Sequence, residues 1–207
     1  MLLEVLALLS LGFVVGLSGA IIPGPFLAFT VFDTSRKRRI TGHNIILGHV
    51  LWESVIILII LLGFGGLIAQ NTLVIYVIGG LVLALMGIRM FMSKAKEVRM
   101  ESAKVNSSLI GGIFYTAFNP TQPLWWATAG IALLLRGIET MGVMGVVIVT
   151  AGHWLSDFVY YFFVSFMVHR HEKYITPHQR EISILLGVFL ALLGAYFLIQ
   201  GLQQLVI

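Results

Sequence analysis

Apolar runs of about 20 residues recur along this chain, and each is long enough to cross a hydrocarbon core of roughly 30 Å. Six can be drawn, at roughly 3–32, 43–67, 72–93, 109–135, 141–167 and 181–205. Of the 207 residues, 58% are hydrophobic and 11% charged, against about 25% charged in an ordinary soluble domain. A soluble protein of this length has no interior large enough for that much apolar surface, whereas a bilayer accepts it. The connections are short and no low-complexity stretch intervenes. One all-α integral membrane domain over residues 1–207 is expected.

The net charge of +4 does not form a basic groove, so a nucleic-acid partner is not expected. The positive charges sit between the apolar runs. Arg36, Lys37, Arg38 and Arg39 lie in the first connection, Arg89, Lys94, Lys96, Arg99 and Lys104 in the third, and Arg170, Lys173 and Arg180 in the fifth. Arg136 alone lies in the fourth. By the positive-inside rule the odd connections face the cytoplasm, and both termini lie outside. Arg36 to Arg39 then also anchor to anionic headgroups. Met1-Leu2-Leu3-Glu4 has no basic leader before its apolar run, so the first run is read as a retained helix. With no cysteine in the chain, disulfides, thiolate metal sites and thiol–disulfide relays are excluded.

Two runs are interrupted. Pro23-Gly24-Pro25 breaks the first, and Asn119-Pro120-Thr121-Gln122-Pro123 breaks the fourth. Proline removes a backbone donor and clashes with the preceding turn. Backbone groups freed at membrane depth are tolerated only against protein or a water-lined cavity. Both breaks should therefore point inward, at corresponding places of two halves, which is the pattern of a transporter binding site.

The halves align. Pro25-x4-Thr30 matches Pro123-x4-Thr128, and Gly48-His49-x-Leu51-x-Glu53 matches Gly152-His153-x-Leu155-x-Asp157. Gly80-x-x-Leu83-Ala84-Leu85-Met86-Gly87 matches Gly187-x-x-Leu190-Ala191-Leu192-Leu193-Gly194. The middle match says most, because His and acids are rare in such segments. Repeats of about 1–93 and 107–207 hold three helices each, so the second copy enters from the opposite side. The expected architecture is six transmembrane helices in two inverted three-helix repeats, with helices 1 and 4 broken by proline.

Glu53 and Asp157 fall near mid-membrane, where an ionised acid costs roughly 2.5–3.5 kcal/mol on insertion scales. His49 and His153 precede them by four residues, on the same helical face. Burial penalises the charged form of each group, so both members of a pair can exchange protons near neutrality, as a proton relay requires. The competing reading is that each His bonds its own acid and locks a helix contact. The half-helices after Pro25 and Pro123 offer free amides and a positive dipole end to a substrate carboxylate, while Glu53 or Asp157 takes an ammonium. The expected substrate-binding residues are Pro23, Gly24, Pro25, Thr30, Asn119, Pro120, Gln122, Pro123, Thr128 and Trp125. The four polar ones among Thr30, Asn119, Gln122 and Thr128 have an equal claim to satisfying the broken backbone. Tyr160 or Tyr161 is placed to bond Asp157, one turn away. Trp52, Trp126 and Trp154 have packing as the competing reading. His169, His171 and His178 read as solvated interface residues, and the glycines of segments three and six as helix-packing contacts.

Pro23-Gly24-Pro25 at the end of the first run, a basic connection, Gly42 and Gly48, and Asn119-Pro120 in the fourth run resemble the LysE family of amino-acid exporters over essentially the whole chain. Thr121 stands where that family commonly has Lys, and the Gly-His-x-Leu-x-acid pairs look like a divergent branch. The resemblance implies six helices, a prokaryotic cytoplasmic membrane, and export of amino acids or related metabolites driven by proton entry. The expected partners are a small-molecule substrate, protons and the lipid bilayer, with no cofactor, and the chain is small enough for a homodimer. The alternative is divalent metal export through His49, Glu53, His153 and Asp157, provided the four side chains converge. An enzyme is not expected, since no nucleophile motif is present.

Overall fold

The computed structural model describes residues 1–21, 24–65, 70–92 and 107–204. Among them every regular element is a helix. The order is α1 (Leu2–Ala20), α2 (Pro25–Lys37), α3 (Gly42–Ile59), α4 (Thr72–Met92), α5 (Ser107–Ala117), α6 (Thr121–Trp125), α7 (Ile131–Arg170), α8 (Glu172–Ile175) and α9 (Gln179–Gln203). Wider π turns, Ile60–Phe64 and Trp126–Gly130, extend α3 and join α6 to α7. Pro23, and with it Lys94, Lys96, Arg99 and Lys104, lie outside the described residues.

Four spans are long and apolar enough to cross a membrane: Leu2–Ala20, Gly42–Gly63, Thr121–Arg170 and Arg180–Gln203. Shorter apolar helices cover Leu73–Arg89 and Ser108–Ala117. The outer surface is apolar. Leu2, Val143 and Leu185 are 72%, 82% and 69% exposed, as side chains facing lipid should be, while polar residues such as Asp33, Glu53, His153 and Asp157 are buried.

The helix does not stop where the first apolar run ends, at residue 32. After α1 ends at Ala20, Gly24 is extended and Pro25 opens α2, which continues to Lys37. The extra turn persists because its charges pair inside it. Lys37 Nζ lies 3.0 Å from Asp33 Oδ1, and Ser108 Oγ, at the start of α5, donates to Asp33 Oδ2 at 2.7 Å. Beyond α2, Ser165 Oγ on α7 accepts the amides of Thr41 and Gly42 at 2.8 and 3.1 Å. That hydroxyl satisfies two of the donors a helix N-terminus leaves unpaired. Arg38 then pairs with Glu172 at 3.6 Å. The first connection, the start of α5 and the end of α7 thus share one face of the molecule.

The second interruption lies earlier than the second proline. α5 ends at Ala117, and α6 begins at Thr121 with Pro120 before it. Asn119 Oδ1 accepts from the Thr121 amide at 3.2 Å and from its hydroxyl at 2.8 Å. The half-helix therefore starts at Thr121, not after Pro123, which sits inside its first turn. α7 is two helices folded back on each other. Met141 and Gly142 leave helical geometry, Gly142 at φ 61°. Gly137 and Gly145 then touch backbone to backbone, although eight residues of straight helix would separate them by about 12 Å.

Glycines set the helix crossings. A Cβ on Gly12 would collide with the Val149 carbonyl, and one on Gly152 with the Leu9 carbonyl, so α1 lies directly on α7. A Cβ on Gly112 would strike the Ile45 carbonyl, and one on Gly48 the Leu109 carbonyl, so α5 lies equally close on α3. Gly80 meets Gly194, and Gly87 meets Gly187, between α4 and α9. Small residues of this kind let backbones approach where lipid supplies no hydrophobic drive between helices.

Candidate functional site

The α1–α2 interruption and the α5–α6 interruption border one cavity of about 200 Å³. α3 and α7 supply its polar wall. His49 and Glu53 sit one turn apart on α3, and His153 and Asp157 one turn apart on α7. Their ligating atoms all lie within 4.8 Å of one another. The pairs do not stay within their own helices. His49 Nε2 is 3.2 Å from Glu53 Oε2 and 3.4 Å from Asp157 Oδ2. His153 Nε2 is 3.1 Å from the same Glu53 oxygen and 3.4 Å from the same Asp157 oxygen. The reading in which each His bonds only its own acid is corrected: each imidazole faces both carboxylates. The two wall helices touch directly: a Cβ on Gly42 of α3 would strike the Tyr161 carbonyl of α7.

Glu53 is 2% exposed and is crowded with donors. Trp126 Nε1 and Gln122 Nε2 reach Oε1 at 2.7 and 3.3 Å, and Trp154 Nε1 reaches Oε2 at 3.0 Å. A buried carboxylate needs such partners, since burying a charge without them is expensive. Trp126 is held by a local device. It opens the Trp126–Gly130 π turn, and Gly130, lacking a Cβ, leaves room for the indole. Asp157 is buried as well, but its Oδ2 has no hydrogen-bond partner.

The imidazoles are held in place by aromatic rings and a hydroxyl. Trp125 stacks on His153 at 4.9 Å, and Phe26 lies against His49 at 4.8 Å. His49 Nδ1 lies 2.9 Å from Thr116 Oγ1. That hydroxyl already donates to the Gly112 carbonyl at 2.7 Å, so His49 Nδ1 must be the donor of the pair. His49 thus turns its other nitrogen, Nε2, to the carboxylates.

The other expected site residues divide. Gly24, Pro25, Asn119, Gln122 and Trp125 line the cavity. Thr30 does not; its hydroxyl donates to the Phe26 carbonyl on its own helix. Thr128 is exposed and bonds Leu124 and Trp125 carbonyls. Both threonines satisfy carbonyls of their own helices, one of the two readings the sequence left open. Pro120 and Pro123 are not among the lining residues. Tyr161 lines the cavity, but its hydroxyl donates to Ala20 O at 3.2 Å and not to Asp157. It ties α7 to the end of α1. Sequence reasoning missed Thr116 altogether and gave Trp126 and Trp154 packing as a competing reading. Nothing in an apolar run marks an indole that donates inward.

The family comparison spans both halves of this site: the chain matches the LysE type translocator over residues 17–201. It belongs to that family. No curated protein and no solved structure matches it. Family and apolar helices together make this LysE type translocator a multi-pass membrane transporter of the exporter class. The match begins just before the first interruption and ends within α9, so it includes His49, Glu53, His153 and Asp157.

Proposed function

We propose that this translocator exports an amino acid or related small metabolite from a prokaryotic cell in exchange for protons. It would cross the cytoplasmic membrane six times as two inverted repeats, with both termini outside. The observation that carries the reading is one cavity, bordered by both chain interruptions, with two titratable side chains from each half.

The inverted repeat is supported by paired contacts. Gly12 against Val149 has Gly112 against Ile45 as its counterpart, and Leu9 against Gly152 has Leu109 against Gly48. Among these positions, Gly48 and Gly152 are a pair of the sequence alignment. The cavity then lies between two halves that can rock about it, as alternating access requires. An ammonium group fits the buried carboxylate of Glu53 or Asp157, and a carboxylate fits the N-terminal turn of α2, where Gly24, Pro25 and Phe26 line the same cavity. Protons entering down a potential of roughly 100 mV supply about 2.3 kcal/mol per charge, enough to hold a gradient of about fifty-fold. Glu53 and Asp157 are the acceptors on that path.

The test is transport in proteoliposomes loaded with single radiolabelled amino acids, under an imposed pH gradient. Efflux that collapses with the gradient, and that is lost in Asp157→Asn, is expected. Efflux of amino acids that ignores the gradient would remove proton exchange, and no efflux of any amino acid would remove the substrate class.

A further inference from the structure

We propose that His49, Glu53, His153 and Asp157 form a binding site for one divalent first-row transition-metal ion of the zinc type. The inference rests on the reading of this cavity as the transport site and adds an ion to what it takes.

The spacing carries the argument. The four nitrogen–oxygen separations are 3.1, 3.2, 3.4 and 3.4 Å. Ligands at about 2.0–2.1 Å from a tetrahedral ion stand about 3.3 Å apart. Charge-assisted N–H···O bonds prefer about 2.7–2.9 Å, and all four separations are longer. Each Nε2 also lies between two carboxylate oxygens, whereas a single N–H points at one. The four nitrogen–oxygen edges match those of a four-ligand site, and the four donor atoms lie within 4.8 Å of one another.

The surroundings agree. His49 gives its Nδ1 proton to Thr116, which leaves Nε2 as the ligating atom. A hydrogen bond from the far nitrogen is the usual support of a metal-bound imidazole. Trp126, Trp154 and Gln122 hold Glu53. Asp157 Oδ2 is buried without a hydrogen-bond partner. Two carboxylates with two neutral imidazoles carry a charge of two minus, and no Lys or Arg lines the cavity among the described residues. A dication cancels that charge. Two imidazoles and two carboxylates suit zinc, cobalt or manganese and not the sulfur-seeking ions.

The experiment is performed on purified, tag-free protein in detergent, by calorimetric titration with zinc chloride and by the visible spectrum with cobalt chloride. Calcium chloride serves as the oxygen-preferring comparison. One equivalent of zinc with saturable binding, and an intense four-coordinate cobalt spectrum, are expected. His49→Gln with His153→Gln should lower affinity at least 100-fold and abolish the spectrum. Thr116→Val, which keeps all four ligands, should weaken zinc binding about 10–100-fold. Gel filtration of each variant separates loss of the site from loss of the fold. Absence of saturable zinc binding to the unmodified protein overturns the proposal. So does binding that survives in a monodisperse double variant, or calcium binding as tight as zinc. The measurement needs no transport, so failure of amino-acid efflux and failure of metal binding are read separately.

Discussion

The indole N–H of Trp126 donates to Glu53 Oε1 at 2.7 Å, from a helix 73 residues further along the chain. It is the shortest of the contacts that hold this buried acid among the described residues. Trp126→Phe keeps most of the ring and removes the donor. A hydrogen bond to a charged group contributes about 1.5–3 kcal/mol, so the variant should lose about that much stability. For a chain of this size that is a fall of about 2–4 °C in Tm per kcal/mol. Thermal unfolding in detergent measures it. A Tm equal to that of the unmodified protein would mean that the indole only fills space.

Lys37 offers a second prediction, at the face shared by the first connection and the start of α5. Its Nζ donates to Asp33 Oδ2 at 3.1 Å and to Ser108 Oγ at 2.6 Å, and both charged side chains are buried, at 2% and 1% exposure. Breaking a buried pair by removing one partner costs about 3–5 kcal/mol. Lys37→Met should therefore destabilise strongly, and adding Asp33→Asn should restore part of the loss, because only the more distant Arg36, at 3.8 Å, is left to balance the buried carboxylate. Arg38 and Glu172 form the control. Their pair is partly exposed, and such pairs contribute about 0–1 kcal/mol. Arg38→Ala should leave the unfolding temperature nearly unchanged. Equal losses from Lys37→Met and Arg38→Ala would contradict the burial argument.

These two cases also show what can be read from residues alone. The rarity of His and acid in apolar runs is enough to single out His49, Glu53, His153 and Asp157. Spacing of four puts each His beside its own acid. Which acid each His faces across the cavity depends on how α3 and α7 approach, and contacts such as that of Gly42 with the Tyr161 carbonyl join residues far apart in the chain. The same limit explains Thr30 and Thr128. A hydroxyl near a proline looks free in sequence, yet in a helix the carbonyl four residues back is always within reach. The late start expected for the second half-helix has a similar cause. Asn119 caps Thr121 through its side chain, so the helix begins before Pro123, and proline is tolerated in a first turn. Lys37 and Asp33 stretch α2 past the apolar run because their charges cancel locally.

The last prediction concerns the crossings. Gly48 and Gly152 occupy matching places beside His49 and His153. A methyl group on either would collide with a backbone carbonyl, of Leu109 or of Leu9. A carbonyl in a helix cannot rotate away, so the helices themselves must separate. Overpacking of this kind costs about 1–3 kcal/mol. Separation also moves His49 or His153 from the shared centre. Gly48→Ala and Gly152→Ala should each lower Tm by several degrees and weaken whatever ligand the four side chains hold. Gly142→Ala is the contrast. Nothing lies within 4 Å of a Cβ there, but φ is 61°, so its cost is backbone strain of about 1–2 kcal/mol, remote from the cavity. It should lower Tm and leave ligand affinity intact. Measuring both quantities on all three variants separates the readings. A Gly142→Ala protein that binds as weakly as Gly48→Ala would show that the helix crossing does not position the site.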